Sequence, residues 1–162
     1  MSDAVLVAAA SRHGATLEIA EAIARGLERR GVNALAVPAE KVDDLGGYRA
    51  LVLGSAVYMG HWLDAAVQLA ERSSADGCPV WLFSSGPIGS SDPLPHEDAV
   101  NVAPLMERTS ARGHQVFTGK IDKAQLGFRE RAVVAALRVP DGDFRDWDAI
   151  DAWTGEIAQA LR

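Results

Sequence analysis

Ser11-Arg12-His13-Gly14-Ala15-Thr16 puts a hydroxyl at each end of a short turn and a glycine within it. In front lies an apolar run, Ala4–Ala10 (AVLVAAA). Behind it Leu17, Ala20, Ile23, Ala24 and Leu27 repeat at helical spacing, with Glu18, Glu21, Arg25, Glu28 and Arg29 on the other side. A helix N-terminus offers unpaired backbone N–H groups and the positive end of its dipole, so a strand–turn–helix of this composition can hold an anion, a phosphate above all. Ser11 and Thr16 would add hydroxyl donors, and Gly14 lets the backbone come close to the ligand. The same residues would also make an ordinary helix cap, a contribution of about 1 kcal/mol. The turn alone leaves both readings open.

Two further stretches carry similar chemistry. Ser55-Ala56-Val57-Tyr58-Met59-Gly60-His61-Trp62 sets two aromatics and a glycine after an apolar run. Tyr58 and Trp62 could form a flat wall for a planar ring, and Gly60 would let a peptide plane turn over. Alternatively, Trp62 begins the next helix and packs inward. Ser84-Ser85-Gly86-Pro87-Ile88-Gly89 offers amides and hydroxyls to a polar ring edge, or is a surface turn. Other phosphate signatures fail: there is no G-x-x-x-x-G-K-[ST] and no G-x-G-x-x-G after the first run. Ala8-Ala9-Ala10 stands where a receiver domain would want carboxylates.

The elements that must carry these loops alternate along the chain. Strands are expected at Ala4–Ala10, Val32–Val37, Arg49–Ser55, Cys78–Ser84 and His114–Gly119, the first and third with the apolar run of a strand buried on both faces. Helices are expected from Leu17 to Gly31, at Trp62–Arg72, Ala99–Arg112 and Leu126–Leu137, and over Asp146–Leu161. Val42–Tyr48 reads as a brief irregular helix or turn. The alternation predicts one α/β domain over residues 1–162, a three-layer open sheet of parallel strands. In such sheets ligands sit beyond the carboxyl ends of the strands, which is where all three loops fall.

Bulk properties exclude several classes. The 162 residues carry a formal net charge of -6, which repels nucleic acid and acidic membrane surfaces. A single cysteine, Cys78, allows no internal disulfide and suits a reducing compartment. The N-terminal apolar run is too short for a signal peptide, and no stretch has the roughly 18 apolar residues of a membrane helix. A cytoplasmic protein without an integral membrane segment is expected. His96 and His114 lack metal-ligand spacing, so no metal site is expected. Trp81 is expected in the core, and of Trp147 and Trp153 only one is expected to pack fully. Arg129, Arg131 and Arg138 fit a solvated helix face or a docking patch.

ASRHGAT, GSAVYMGHW and FSSGPIG, in this order, resemble the flavodoxin-like family, in particular its branch similar to menaquinone-dependent protoporphyrinogen oxidase. The likeness runs over essentially the whole chain, including the tail through DFRDWDAI. It implies five parallel strands in the order 2-1-3-4-5 and a non-covalently bound FMN. Ser11, Arg12, His13, Gly14, Ala15 and Thr16 would hold the phosphate. Ser55, Ala56, Val57, Tyr58, Met59 and Gly60 would line the isoalloxazine, and Ser85, Gly86, Pro87, Ile88 and Gly89 would cover its other edge. His13 is less usual at its position than a hydroxyl or small residue.

The resemblance implies electron transfer with a redox partner protein or a small donor or acceptor, a quinone or porphyrinogen among them. A carrier and a porphyrinogen oxidase both fit, as does a flavodoxin-shaped binding protein without cofactor. In the first two the flavin performs the chemistry, and no acid/base or nucleophile set is evident or required. Where the oxidase type carries a basic helical insertion, this chain reads Ser90-Ser91-Asp92-Pro93-Leu94-Pro95-His96-Glu97-Asp98, short and acidic. Typical carriers place an aromatic in the third loop, and SSGPIG has none. Asp64, Asp92, Glu97 and Asp98 are candidates to lower the flavin's potential. A carboxylate at roughly 8 Å with an effective dielectric of about 20 contributes about 2 kcal/mol, on the order of 90 mV.

Overall fold

Val5–Ala10 (VLVAAA) is buried at every position, as a strand covered on both faces requires. The computed structural model, which describes residues 3–58, 60–73, 77–86, 102–118, 120–121, 142–143 and 145–162, makes it β1, the centre of a parallel sheet. On one side β1 pairs with β2 (Ala34–Pro38), from Val5↔Ala34 to Ala9↔Pro38. On the other it pairs with β3 (Ala50–Tyr58), from Val5↔Ala50 to Ala10↔Ser55. A two-residue strand, β4 (His61–Trp62), folds back antiparallel on β3. Then β5 (Val80–Gly86) joins β3, and β6 (Gly113–Thr118) joins β5, both parallel. The long strands therefore run β2-β1-β3-β5-β6, the expected 2-1-3-4-5 layout with β4 added.

Alternate residues of β1 serve opposite layers. Val5, Val7 and Ala9 pack with Ile19, Ile23 and Leu27 of α1 (Ala15–Arg29) and with Ile150, Trp153 and Ile157 of α4 (Trp147–Ala160). Leu6, Ala8 and Ala10 pack with Ala66 and Leu69 of α2 (Asp64–Ser73) and Leu105 of α3 (Ala103–Thr109). A sheet buried on both faces thus follows from a period-two alternation in which both sets are apolar.

Local chemistry explains the helix ends. Gly31, at φ 82°, closes α1: its N–H bonds the Glu28 carbonyl and the Val32 N–H reaches back to Leu27. Asp146 caps α4 by accepting the Ala149 N–H at 3.0 Å. α3 is shorter than the expected Ala99–Arg112 because Ser110 adopts φ 51° and ends it; residues 99–101 lie outside the described residues. A pair of short antiparallel strands, β7 (Lys120–Ile121) and β8 (Gly142–Asp143), was not expected. The helix expected at Leu126–Leu137, with Arg129, Arg131 and Arg138, falls outside the described residues. Between β2 and β3 the chain forms a 3₁₀ turn at Ala39–Lys41 and a turn at Gly46-Gly47 rather than a helix.

Aromatic packing ties β5, β6 and α4 together. The Phe83 ring lies 6.2 Å from Phe117 and 6.1 Å from Trp153, and Phe117 lies 5.7 Å from Trp153. Trp153 is buried while Trp147 is 42% exposed, the split expected for this pair, and Trp81 is in the core. Phe83 can take its place only because its strand neighbour is Gly54: a Cβ there would stand 2.1 Å from Phe83 Cζ. Across the outer layer, Asp151 of α4 accepts both terminal nitrogens of Arg30 at 3.1 Å and one from Arg29 at 3.2 Å. Hydrogen bonding from Arg30, aided by both positive charges, holds the Asp151 carboxyl below the usual carboxylate range.

Two outcomes follow. Gly54→Ala overpacks Phe83 and should lower stability by about 1–3 kcal/mol in urea unfolding. The depressed Asp151 pKa stabilises the fold above the unfolded value of about 4, and that stability is lost as pH falls through the folded value. Asp151→Asn should therefore lower the urea midpoint at pH 7, and the difference from wild type should disappear in acid.

Candidate functional site at the carboxyl edge of the sheet

The register brings the three loops together. Ala10, Ser55 and Ser84 stand side by side on β1, β3 and β5, and Ala56 stands beside Ser85 in the next row. The chain leaves β1 toward β2 on one side and returns as β3 on the other, so the crevice between β1 and β3 is a switch point in strand order. Ligands of open parallel sheets bind at such points.

The first turn is shaped by its own serine. Ser11 Oγ accepts the Gly14 N–H at 2.9 Å and the Thr16 N–H at 3.3 Å. Gly14 sits at φ 88° as the N-cap of α1, a left-handed conformation that a side chain would strain. A Cβ placed on Gly14 would meet nothing within 4 Å, so the turn faces open space. Arg12 and His13 are exposed on it, Ala15 is partly exposed, and Thr16 is buried. The expected cap by a Ser11 or Thr16 side chain thus takes the form of a serine bonding across the turn.

The second loop is more ordered than its composition implied. β3 does not stop at Ser55 but continues to Tyr58 and returns as β4, with Val57↔Trp62 and Tyr58↔His61 paired. Gly60 makes the reversal at φ 80°. Ser55 is fully buried: its hydroxyl donates to the Ala56 carbonyl at 2.8 Å and accepts the Leu63 N–H at 2.9 Å. Trp62 packs inward in β4, before α2, rather than standing as an open wall. Its indole N–H donates to Ser84 Oγ at 2.7 Å, and that hydroxyl lies 2.8 Å from His114 Nε2. Met59 lies outside the described residues.

At the third loop β5 extends through Gly86 and so includes Ser85 and Gly86, which pair with Phe117 and Thr118 of β6. Gly86 lies tight against Val57, 2.8 Å from a built Cβ to Val57 Cβ, so the second and third loops touch. Pro87, Ile88 and Gly89 lie outside the described residues, as do Asp92, Glu97 and Asp98; Asp64 opens α2 and is exposed.

Arg145 was missed in the sequence. Its guanidinium Nη1 donates to the Ala15 carbonyl, 130 positions away, and to Glu18 Oε1, each at 3.2 Å. Nε and Nη2 donate to Asp143 at 2.9 and 2.7 Å, and the side chain is 5% exposed. The only sequence signal was its place in DFRDWDAI, which links the last segment to the first turn without any local spacing rule. Among the described residues no group of three or more His, Cys, Asp or Glu could hold a metal ion, and no helix is long and apolar enough to cross a membrane.

The flavodoxin domain model matches residues 6–148, which includes β1 from Leu6 onward, the first turn and the Arg145 segment. No curated protein matches the chain. Among solved structures, a flavodoxin from the domain Archaea is similar at 18% identity with a TM-score of 0.64, over 99% of each chain. Flavodoxin 1 from Bacillus cereus is similar at 16% identity and a TM-score of 0.63, over 99% of this chain and 100% of that one. The rubredoxin oxygen:oxidoreductase of Desulfovibrio gigas is similar at 11% identity and a TM-score of 0.65, with 99% of this chain covering 36% of that one.

Ser84→Ala removes the shared oxygen from both Trp62 and His114. It should cost about 1–3 kcal/mol in urea unfolding, because the buried indole N–H loses its acceptor.

Proposed function

The chain belongs to the flavodoxin domain family, and from that premise we propose that it binds FMN non-covalently and carries electrons between redox partners. The observation that carries this reading is the alignment of three ligand-type loops at one switch point, beginning with the open turn at Gly14. The donor set suits the group. The N-terminal end of α1 supports a phosphate, with Ser11, Arg12, His13, Gly14, Ala15 and Thr16 around it. Ser55, Ala56, Val57, Tyr58, Met59 and Gly60 would border the ring on the hairpin side. Ser85, Gly86, Pro87, Ile88 and Gly89 would meet its polar edge.

FMN, when bound, supplies the electron-transfer chemistry. The chain's residues bind and orient it. Ser11 holds the turn in shape through the Gly14 and Thr16 amides. Ser84 anchors Trp62 from below and so fixes the hairpin that borders the ring. Because Trp62 is turned inward, its indole does not serve as an open stacking face. The acidic Ser90–Asp98 stretch favours the carrier over a porphyrinogen oxidase, whose carboxylated substrate it would repel. Work as one domain in the cytoplasm, with Cys78 reduced, accords with the composition.

Fluorescence titration of flavin-free protein with FMN tests the reading. Saturable one-to-one quenching is expected, and Gly14→Asp, which adds a carboxylate to the turn, should weaken it by at least about tenfold. No binding to wild type would overturn the proposal. Oxidation of a porphyrinogen with a quinone acceptor, expected to be absent, would replace the carrier with the oxidase.

A further inference from the structure

A helix that begins at a phosphate site is poorly served by a carboxylate in its first turn, yet α1 has Glu18 there. Such a residue favours the helix dipole but repels a bound dianion at the same end. Arg145 meets this conflict. One of its nitrogens bonds both Glu18 and the carbonyl of Ala15, the first residue of α1, while the rest of the fork is held by Asp143. The guanidinium is nearly buried although its carboxylate partners are about half exposed, so it is fixed rather than free to follow solvent. The Trp147 ring lies 4.7 Å from it and closes its outer side.

We propose that Arg145 is a positioning residue for the phosphate turn, tethering the first turn of α1 and neutralising Glu18, and so lets the site prefer FMN to riboflavin. This rests on the FMN reading above. Arg145, Glu18 and Asp143 together carry one negative charge. Removing Arg145 leaves two carboxylates and a loosened first turn, whereas removing the charge of Glu18 leaves a neutral cluster. Both effects act on the phosphate, and riboflavin, which has none, is indifferent to them. Its hydrogen bonds to the Asp143 carboxylate first, with those to Glu18 in addition, raise the Arg145 pKa further, so the cation persists at every pH of interest.

The test is a set of dissociation constants for FMN and riboflavin, measured by fluorescence in dilute buffer on the full chain. Arg145→Met should weaken FMN about three- to tenfold and leave riboflavin unchanged. Glu18→Gln should tighten FMN several-fold, and the Arg145→Met/Glu18→Gln pair should recover most of the loss. Arg145→Lys keeps charge without the fork and should fall between wild type and Arg145→Met. Equal weakening of both flavins, or no recovery in the double variant, would overturn the role of Arg145 while leaving FMN binding intact. Failure of wild type to bind either flavin would overturn the reading on which it rests. Should Arg145→Met not fold, Glu18→Gln decides alone: unchanged FMN affinity would refute the charge balance.

Discussion

β1 is the constraint on which the molecule depends. Six consecutive apolar residues with no polar face must be covered on all sides, and here they are covered as the middle strand of a sheet packed on both faces. That placement sends the chain left to β2 and right to β3, opens the crevice between β1 and β3, and leaves Ser11–Thr16 at its mouth. The three alanines that end the strand are small enough to let layers from both sides close in. Position, packing and candidate site therefore follow from one strand.

Most of the architecture was legible because its signals are periodic. Apolar runs marked β1, β3 and β5, the strand–helix alternation marked β2 and β6, helical spacing marked α1, α2 and α4, and the glycine at position 31 marked where α1 stops. The failures have local causes. Gly54-Ser55 read as the end of β3, whereas Gly54 is small because the Phe83 ring occupies the space of its side chain. The strand therefore runs on through Val57 to Tyr58. Two-residue strands such as β4, β7 and β8 have no period to detect. Arg145 reaches the first turn only through the tertiary fold.

The serines teach a related lesson. Residues chosen from the sequence as ligand donors also shape the loops that would receive a ligand. Ser11 draws in two amides, Ser55 binds Leu63, and Ser84 joins Trp62 to His114. Each satisfies buried polar groups that would otherwise be costly. A hydroxyl-rich loop at a sheet edge is thus a statement about loop rigidity before it is one about recognition. Sequence alone does not separate the two, because the residue type suits either purpose.

The far edge of the sheet carries a practical consequence. The Arg49 amide bonds the Ala4 carbonyl, the Arg49 side chain reaches the Leu161 carbonyl, and Arg162 donates to the Arg30 carbonyl. Residues 4 and 161 are therefore both held by Arg49, at the end of the sheet opposite Ser11, Gly60 and Gly86. A tether fixed there to an electrode or a resin would hold the molecule upright, with the carboxyl edge of its sheet turned toward the bulk liquid.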